Sequence, residues 1–322
     1  AVPCQLWFFD RAKEKDDARR DYVLMIDARS IFRKVSRSVC DFSPEQQQNI
    51  AAIVWLYRGQ QDRFLGLVNS YLKQATENGE AANAPLAAFE KTLGTLMGLI
   101  APFTRISRSD DPLAEPWNEL ISTHETLVAD IEAFAVLSQA QAKAWEADVH
   151  GNAELQAARL ALHPMAEGCR DLTKQIDLAA KQVGRVIDIA MKELAAKGSN
   201  VWKTSDISRA RKGLDEARTV AVEALRTARY FVKQSEWLQE RFPDGTLRDV
   251  AGLVKLVERS VIQSHDWSLT PGRYVGVAPE EVDEDFDFEE TLRSIHIDLK
   301  GLNEESVELA ARIARNFEEL GA

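Results

Sequence analysis

Two apolar runs open the chain, CQLWFF (Cys4 to Phe9) and YVLMID (Tyr22 to Asp27), separated by the charged stretch RAKEKDDARRD. Runs of this length bounded by charge predict adjacent strands of a sheet, and two strands alone are marginal in water. A strand so near the first residue, with no partner strands expected downstream, predicts a chain that opens partway through a larger domain. DFSPEQ follows. Ser43 can cap a helix, Pro44 suits its first position, and Gln46 can reach back as in a capping box. Ile50, Ile53, Val54 and Tyr57 then share one face, and Gly59 is a plausible stop.

From about 61 to 245 the spacing is helical, punctuated by Asn78-Gly79, Pro102, Pro112, Pro116, His150-Gly151, Pro164, Gly198-Ser199 and Pro243-Asp-Gly. Three segments are long. Trp117, Leu120, His124, Leu127, Ile131, Phe134 and Trp145 mark one; Met165, Cys169, Leu172, Ile176, Val183 and Val186 mark the second. Ala210, Leu214, Ala217, Ala221, Ala224, Ala228, Phe231 and Leu238 mark the third. Each covers roughly 30 residues, about 45 Å of helix. Near-heptad spacing predicts an antiparallel bundle, and the alanine seam of the third helix admits a close neighbour. From near Phe288, Leu292, Ile295, Leu299, Leu302, Leu309, Ile313 and Leu320 recur in steps that fit a coiled-coil seam. Ser306 and Asn316 interrupt it, which restricts the partners and registers such a helix accepts.

Composition adds bounds. The 322 residues are 45% hydrophobic and 28% charged, ordinary for a folded protein, with no apolar stretch long enough to span a membrane and no basic leader. The cytoplasm is the default expectation. Cys4, Cys40 and Cys169 lie far apart without metal-ligand spacing, so a disulfide scaffold or structural zinc site is disfavoured. A net charge of −11 argues against wholesale coating of nucleic acid but leaves a local phosphate contact open.

The chemistry-bearing motifs are mostly absent: no Gly-rich phosphate loop, no HExxH and no GxSxG. Ser264-His265-Asp266 holds the residue types of a hydrolase triad, yet adjacent side chains do not reach the required geometry unaided. No catalytic residue or metal ligand is assigned. His124, on an apolar face, reads as a packed core or rim histidine, and Gly94-x-x-x-Gly98 as a possible close helix contact. Eight acids in Glu280 to Glu290 read as a solvated linker placing carboxylates before the last helix. Arg29, Arg33, Lys34 and Arg37 form a basic cluster that would share a side if helical. Phosphate contact and a solvated domain edge are both open readings.

CQLWFF, VLMIDAR, DFSPEQ and LYRGQ, then DVAGLVKLVERSVIQSHDWSLTPGRYVG with its acidic connector and terminal heptads, occur in an order that resembles the C-terminal part of type I restriction-modification DNA methyltransferase modification subunits. The resemblance covers about residues 1–60 and 246–322. It implies a mainly α chain. Residues 1–60, the edge of the methyltransferase domain, would carry the terminal strands of a Rossmann-like sheet; 61–245 would be a helical bundle insertion, 246–287 a connector and 288–322 a subunit-docking helix.

Such subunits transfer a methyl group from S-adenosylmethionine to adenine N6 and clasp a specificity subunit that reads double-stranded DNA. Their Phe-x-Gly-x-Gly cofactor loop and Asn-Pro-Pro-Phe/Tyr motif have no counterpart in these 322 residues. The resemblance therefore implies that this chain binds no cofactor itself and needs a catalytic N-terminal half supplied separately. Arg273 and Tyr274 are candidate anchors at a subunit boundary, alternatively a turn packed on its own domain. Leu292, Ile295, Leu299, Leu302, Leu309 and Ile313 are the candidate docking seam. A non-enzymatic helical interaction protein is the competing reading.

Overall fold

A computed structural model describes residues 4–34, 40–106, 111–145, 151–278, 306, 307, 309–313 and 315. The chain is mainly helical, with a small antiparallel two-stranded ribbon. Helix α1 (Pro44–Tyr57) starts as its sequence predicts: the Gln46 amide donates to Ser43 Oγ at 3.2 Å and the Ser43 amide to Gln46 Oε1 at 2.9 Å. It stops at Gly59, whose φ of 69° is left-handed and costs glycine little.

Helices α2 (Gln61–Ala81) and α3 (Asn83–Ile106) are separated by Ala82 alone. The break falls three residues after the Asn78-Gly79 expected to mark it. Pro85 supplies the reason: it has no N–H to give, and its ring crowds the carbonyl of Ala81 four residues back. Pro102 and Pro164, also expected as punctuation, lie inside α3 and α5 (Asn152–Lys192). The remaining long elements are α4 (Ala114–Ala144) and α6 (Thr204–Arg241).

Cross-contacts fix the directions. Along α2, α3 and α6, Gln61 Nε2 donates to the carbonyl of Asp244, Phe64 packs edge-on against Phe242, and Phe103 packs against Trp202. Along α5 and α6 the ion pairs are Arg159–Glu236, Asp177–Arg218 and Asp188–Arg211. Along α4 and α5, Gln141 Nε2 reaches the carbonyl of Ala161, Gln175 Nε2 reaches Asp130, and Arg185 faces Glu119. In each set one number rises as the other falls, so neighbours run antiparallel and the expected bundle forms. Ile207, Leu214, Ala221, Leu225, Ala228 and Leu238 of α6 are buried along its apolar stripe. The Gly94-x-x-x-Gly98 contact does not form: a methyl group at Gly98 would meet nothing within 4 Å. The close approach is at Gly79, against the Met165 thioether.

The strands depart from expectation. Cys4–Phe9 is not a strand, and Tyr22–Ile26 (β1) does not pair with it. The partner of β1 lies downstream after all: Val254–Glu258 (which we label β4) pairs antiparallel, with Tyr22 opposite Glu258 and Ile26 opposite Val254. Two short strands, β2 (Arg33–Lys34) and β3 (Cys40–Asp41), form a second ladder. The apolar run of Cys4–Phe9 was expected to be a strand and is not one: among the described residues no strand pairs with it, and Phe8 and Phe9 are each 90% exposed.

One hydrophobic core runs from Ile31 through the bundle to Val254. The chain divides into compact units of residues 1–275 and 276–322. In the second, residues 306, 307, 309–313 and 315 are helical, and Leu309 and Ile313 are exposed. Leu292, Ile295, Leu299, Leu302 and the acidic run fall outside the described residues. No helix among the described residues is long and apolar enough to cross a membrane.

A polar network fastens α1 to the bundle. The Tyr71 hydroxyl faces Asn49 Oδ1 at 3.1 Å and the Glu45 carbonyl and Gln48 Oε1 at 3.2 Å, while Asn49 Nδ2 donates to Gln234 Oε1 at 2.8 Å. Burial raises the Tyr71 pKa. A raised folded-state value keeps Tyr71 neutral while the unfolded phenol ionises near pH 10, so this contribution is intact below about pH 10 and is lost as pH rises further. Tyr71→Phe should cost about 1–2 kcal/mol at neutral pH. Denaturant melts between neutral and alkaline pH should show a shallower alkaline loss in the variant than in the parent.

Candidate functional site

The β1–β4 ribbon has two apolar faces. Residues directly opposite in an antiparallel pair share a face. Leu24, Ile26 and Val254 turn to the bundle core, whereas Met25 and Val257 turn to a second cluster with Ile262, Tyr274 and Val275. Ile262 comes from α7 (Arg259–Ser264), and Tyr274 and Val275 directly follow the 3-10 turn Pro271–Arg273. The ribbon therefore holds VLMIDAR and LTPGRYVG together, although about three quarters of the chain separates them.

Their meeting point is Asp27. Its carboxylate is mostly buried and takes the Arg29 guanidinium side-on, with Nε at 2.9 Å from Oδ1 and Nη2 at 2.6 Å from Oδ2. The Arg29 amide adds a bond to Oδ1 at 3.1 Å, and the Asp27 amide donates to the Leu253 carbonyl at 2.8 Å. Gly272 lies over this pair: a methyl group there would come within 3.1 Å of Arg29 Nη2 and 3.6 Å of Asp27 Oδ2. Glycine is the residue that lets the turn approach so closely. The Arg29 hydrogen bonds hold the Asp27 carboxyl below its usual pKa.

The other candidate residues are placed as follows. Arg33 makes a two-bond pair with Asp41, Nε to Oδ1 at 2.7 Å and Nη2 to Oδ2 at 3.1 Å. Lys34 follows it in β2, so the segment is extended there and not helical, and the spacing argument for a shared helical side does not apply. Arg37 lies outside the described residues. Arg29 and Arg33 thus each already pair with a carboxylate, which lowers the net positive charge they would offer a phosphate. Arg273 is exposed. Tyr274 is 8% exposed; its hydroxyl donates to the Ser268 carbonyl at 2.6 Å, and its ring meets His265 edge-on at 5.5 Å. That packing is the own-domain alternative of the sequence reading.

Ser264 and His265 both turn to the Val261 carbonyl, and among the described residues Asp266 makes no hydrogen bond to His265. His124 Nε2 stands 3.6 Å from Glu90 Oε1, at the rim between α3 and α4. Sequence reasoning missed Trp267. It is 53% exposed, follows Asp266 in a left-handed backbone (φ 53° and 57°), and lies beneath the Arg259 guanidinium. Two consecutive non-glycine residues in that conformation store strain. Side-chain identity gives no signal for it.

The Asp27–Arg29–Gly272 cluster offers a carboxylate already held by an arginine and a turn closed by Tyr274. Among the described residues no group of His, Cys, Asp and Glu could hold a metal ion.

Asp27→Asn should destabilise the chain by about 1–2 kcal/mol at neutral pH. The depressed folded-state pKa makes this contribution present above about pH 4, the unfolded value, and lost as pH falls through the folded one. Melts of parent and variant should accordingly converge in acid. No protein-family model, curated protein or solved structure matches this chain.

Proposed function

We propose that this chain is the C-terminal portion of the modification subunit of a type I restriction-modification system, an S-adenosylmethionine-dependent DNA adenine-N6 methyltransferase. The observation that carries the reading is the contact of Gly272 with Asp27 and Arg29. The two most specific stretches of the resemblance are partners in space, as parts of one family module should be. In this reading β1 belongs to the terminal strands of a Rossmann-like sheet. Leu6 to Phe9, four consecutive exposed apolar residues, form a further strand when the catalytic half is present. Adjacent positions point to opposite faces, so an uninterrupted apolar run suits a strand covered on both sides.

The chain supplies assembly and the other half supplies chemistry. The catalytic half brings the cofactor loop and the Asn-Pro-Pro-aromatic motif, holding a flipped adenine beside the methyl donor. The C-terminal helix docks through Leu292, Ile295, Leu299, Leu302, Leu309 and Ile313 as a coiled-coil-like seam on the specificity subunit, which places the complex on double-stranded DNA. Arg29 and Arg33 contribute to DNA positioning through guanidinium N–H groups beyond those given to Asp27 and Asp41. The complex works in the cytoplasm without a membrane partner. A non-catalytic helical scaffold is favoured instead by one feature, the continuous core that makes the bundle the bulk of the molecule.

Sequencing the coding region upstream decides between them: the cofactor loop and Asn-Pro-Pro-aromatic motif, in frame or in a neighbouring frame, are expected, and their absence favours the scaffold. Calorimetry should detect no S-adenosylmethionine binding by this chain alone; micromolar affinity would overturn the division of labour. Co-purification with a specificity subunit should be lost on Leu299→Asp or Leu302→Asp, and unchanged assembly removes the docking helix from the proposal.

A further inference from the structure

The two edges of the β1–β4 ribbon differ. In an antiparallel pair each strand turns the backbone of alternate residues toward its partner. The Asp27 amide donates to the Leu253 carbonyl and the Arg259 amide to the Asp21 carbonyl, both at 2.8 Å, so the odd-numbered residues of β1 face β4. The even-numbered ones turn their backbone outward. On the far edge of β4 such groups are answered: the Leu256 amide donates to Asp249 Oδ1 and the Val254 amide to the Val250 carbonyl, each at 3.0 Å. On β1 the Tyr22 amide reaches the Arg19 carbonyl at 3.1 Å, but the Leu24 and Ile26 amides meet no partner among the described residues. Unanswered amides along a strand edge are a template for another strand.

A segment of matching length is anchored at both ends of this edge. Gln5 Nε2 donates to Thr270 Oγ1 at 3.3 Å, next to the turn whose Gly272 lies over Asp27 and Arg29. Asp10 Oδ2 stands 3.6 Å from Arg19 Nη1, just before the start of β1. Residues 5–10 therefore run from the Asp27 end of β1 to its Tyr22 end, the antiparallel direction. Both stretches have the same number of residue steps, about 17 Å when extended. Between the anchors Leu6, Trp7, Phe8 and Phe9 are all exposed. Matching the anchors sets Leu6 opposite Ile26 and Phe8 opposite Leu24, the two residues with unanswered amides. Leu6 and Phe8 then join the bundle side of the ribbon, and Trp7 and Phe9 join Met25 and Val23 on the other side. An edge with an apolar cluster on each side suits an uninterrupted apolar run.

We propose that the outer edge of β1 is a strand-docking site whose occupant is Cys4–Phe9 of the same chain, closing the ribbon into a three-stranded sheet. The structure holds the open arrangement, with the segment beside the ribbon and unpaired. Closure answers the Leu24 and Ile26 amides and removes four apolar side chains from water. The inference goes beyond the proposed function, and because edge and occupant lie in one chain it is tested without a catalytic half.

Paired cysteines report the closed register. In the full chain carrying Cys4→Ser and Cys40→Ser, Phe9→Cys with Val23→Cys should form a disulfide under glutathione disulfide, since opposite residues at such a site have Cα atoms about 4.5 Å apart. Phe8→Cys with Val23→Cys should lose the cross-link, because alternation turns Phe8 to the other face. In the linked Phe9→Cys, Val23→Cys chain, hydrogen exchange of the Leu24 and Ile26 amides should slow by about tenfold relative to its reduced form, the protection of a hydrogen bond gained. Circular dichroism of the reduced variants is the folding control. Equal cross-linking from positions 8 and 9 marks a loose segment and overturns the proposal. So does the lack of any cross-link, or a linked chain whose Leu24 and Ile26 amides exchange as fast as when reduced.

Discussion

The apolar stripe of α6 is the constraint on which the rest depends. Its buried side chains meet α2, α3 and α5 in turn, so a single helix sets the axis against which the others are aligned. Alanine at 221 and 228 permits close approach, while Phe242 and Trp202, beyond either end of the helix, pack against Phe64 and Phe103. The ion pairs along α5 and α6 lie outside this stripe. Asp188–Arg211 is half exposed and solvent-screened, whereas Arg159–Glu236 is mostly shielded from water.

The ribbon depends on the bundle in turn. Two strands alone do not hold in water. Here one face of the ribbon is covered by the bundle core and the other by α7 with the Tyr274 turn, so a fragment of sheet becomes a sandwiched layer. The Asp27–Arg29 pair and Gly272 sit at the edge of that layer, where a side chain at 272 would crowd the Arg29 guanidinium.

Much of this was legible in the sequence. Ser43, Pro44 and Gln46 specified the start of α1 by local hydrogen bonding, and period-of-seven spacing gave the long helices, since both signals act within a few residues. What was not legible is non-local. Nothing near Tyr22 says that its partner is Glu258, and VKLVE reads as half-apolar until the bundle returns it to β1. Pro164 was expected to end a helix, but the packing of a 41-residue helix outweighs one missing hydrogen bond. At the site, the cluster of arginines was visible while the carboxylates that meet them were not: Asp41 reaches Arg33 only because the chain doubles back.

The pairing of Ile26 with Val254 closes a loop of more than two thirds of the chain, and this separation bears on the order of events. Closing so long a loop is entropically unfavourable until local helices have drawn its ends together. The ribbon and the turn it carries therefore consolidate last during folding and open first under stress. Helices can be lengthened or shortened between them with little effect on the module, provided the bundle still returns its two ends to the same place.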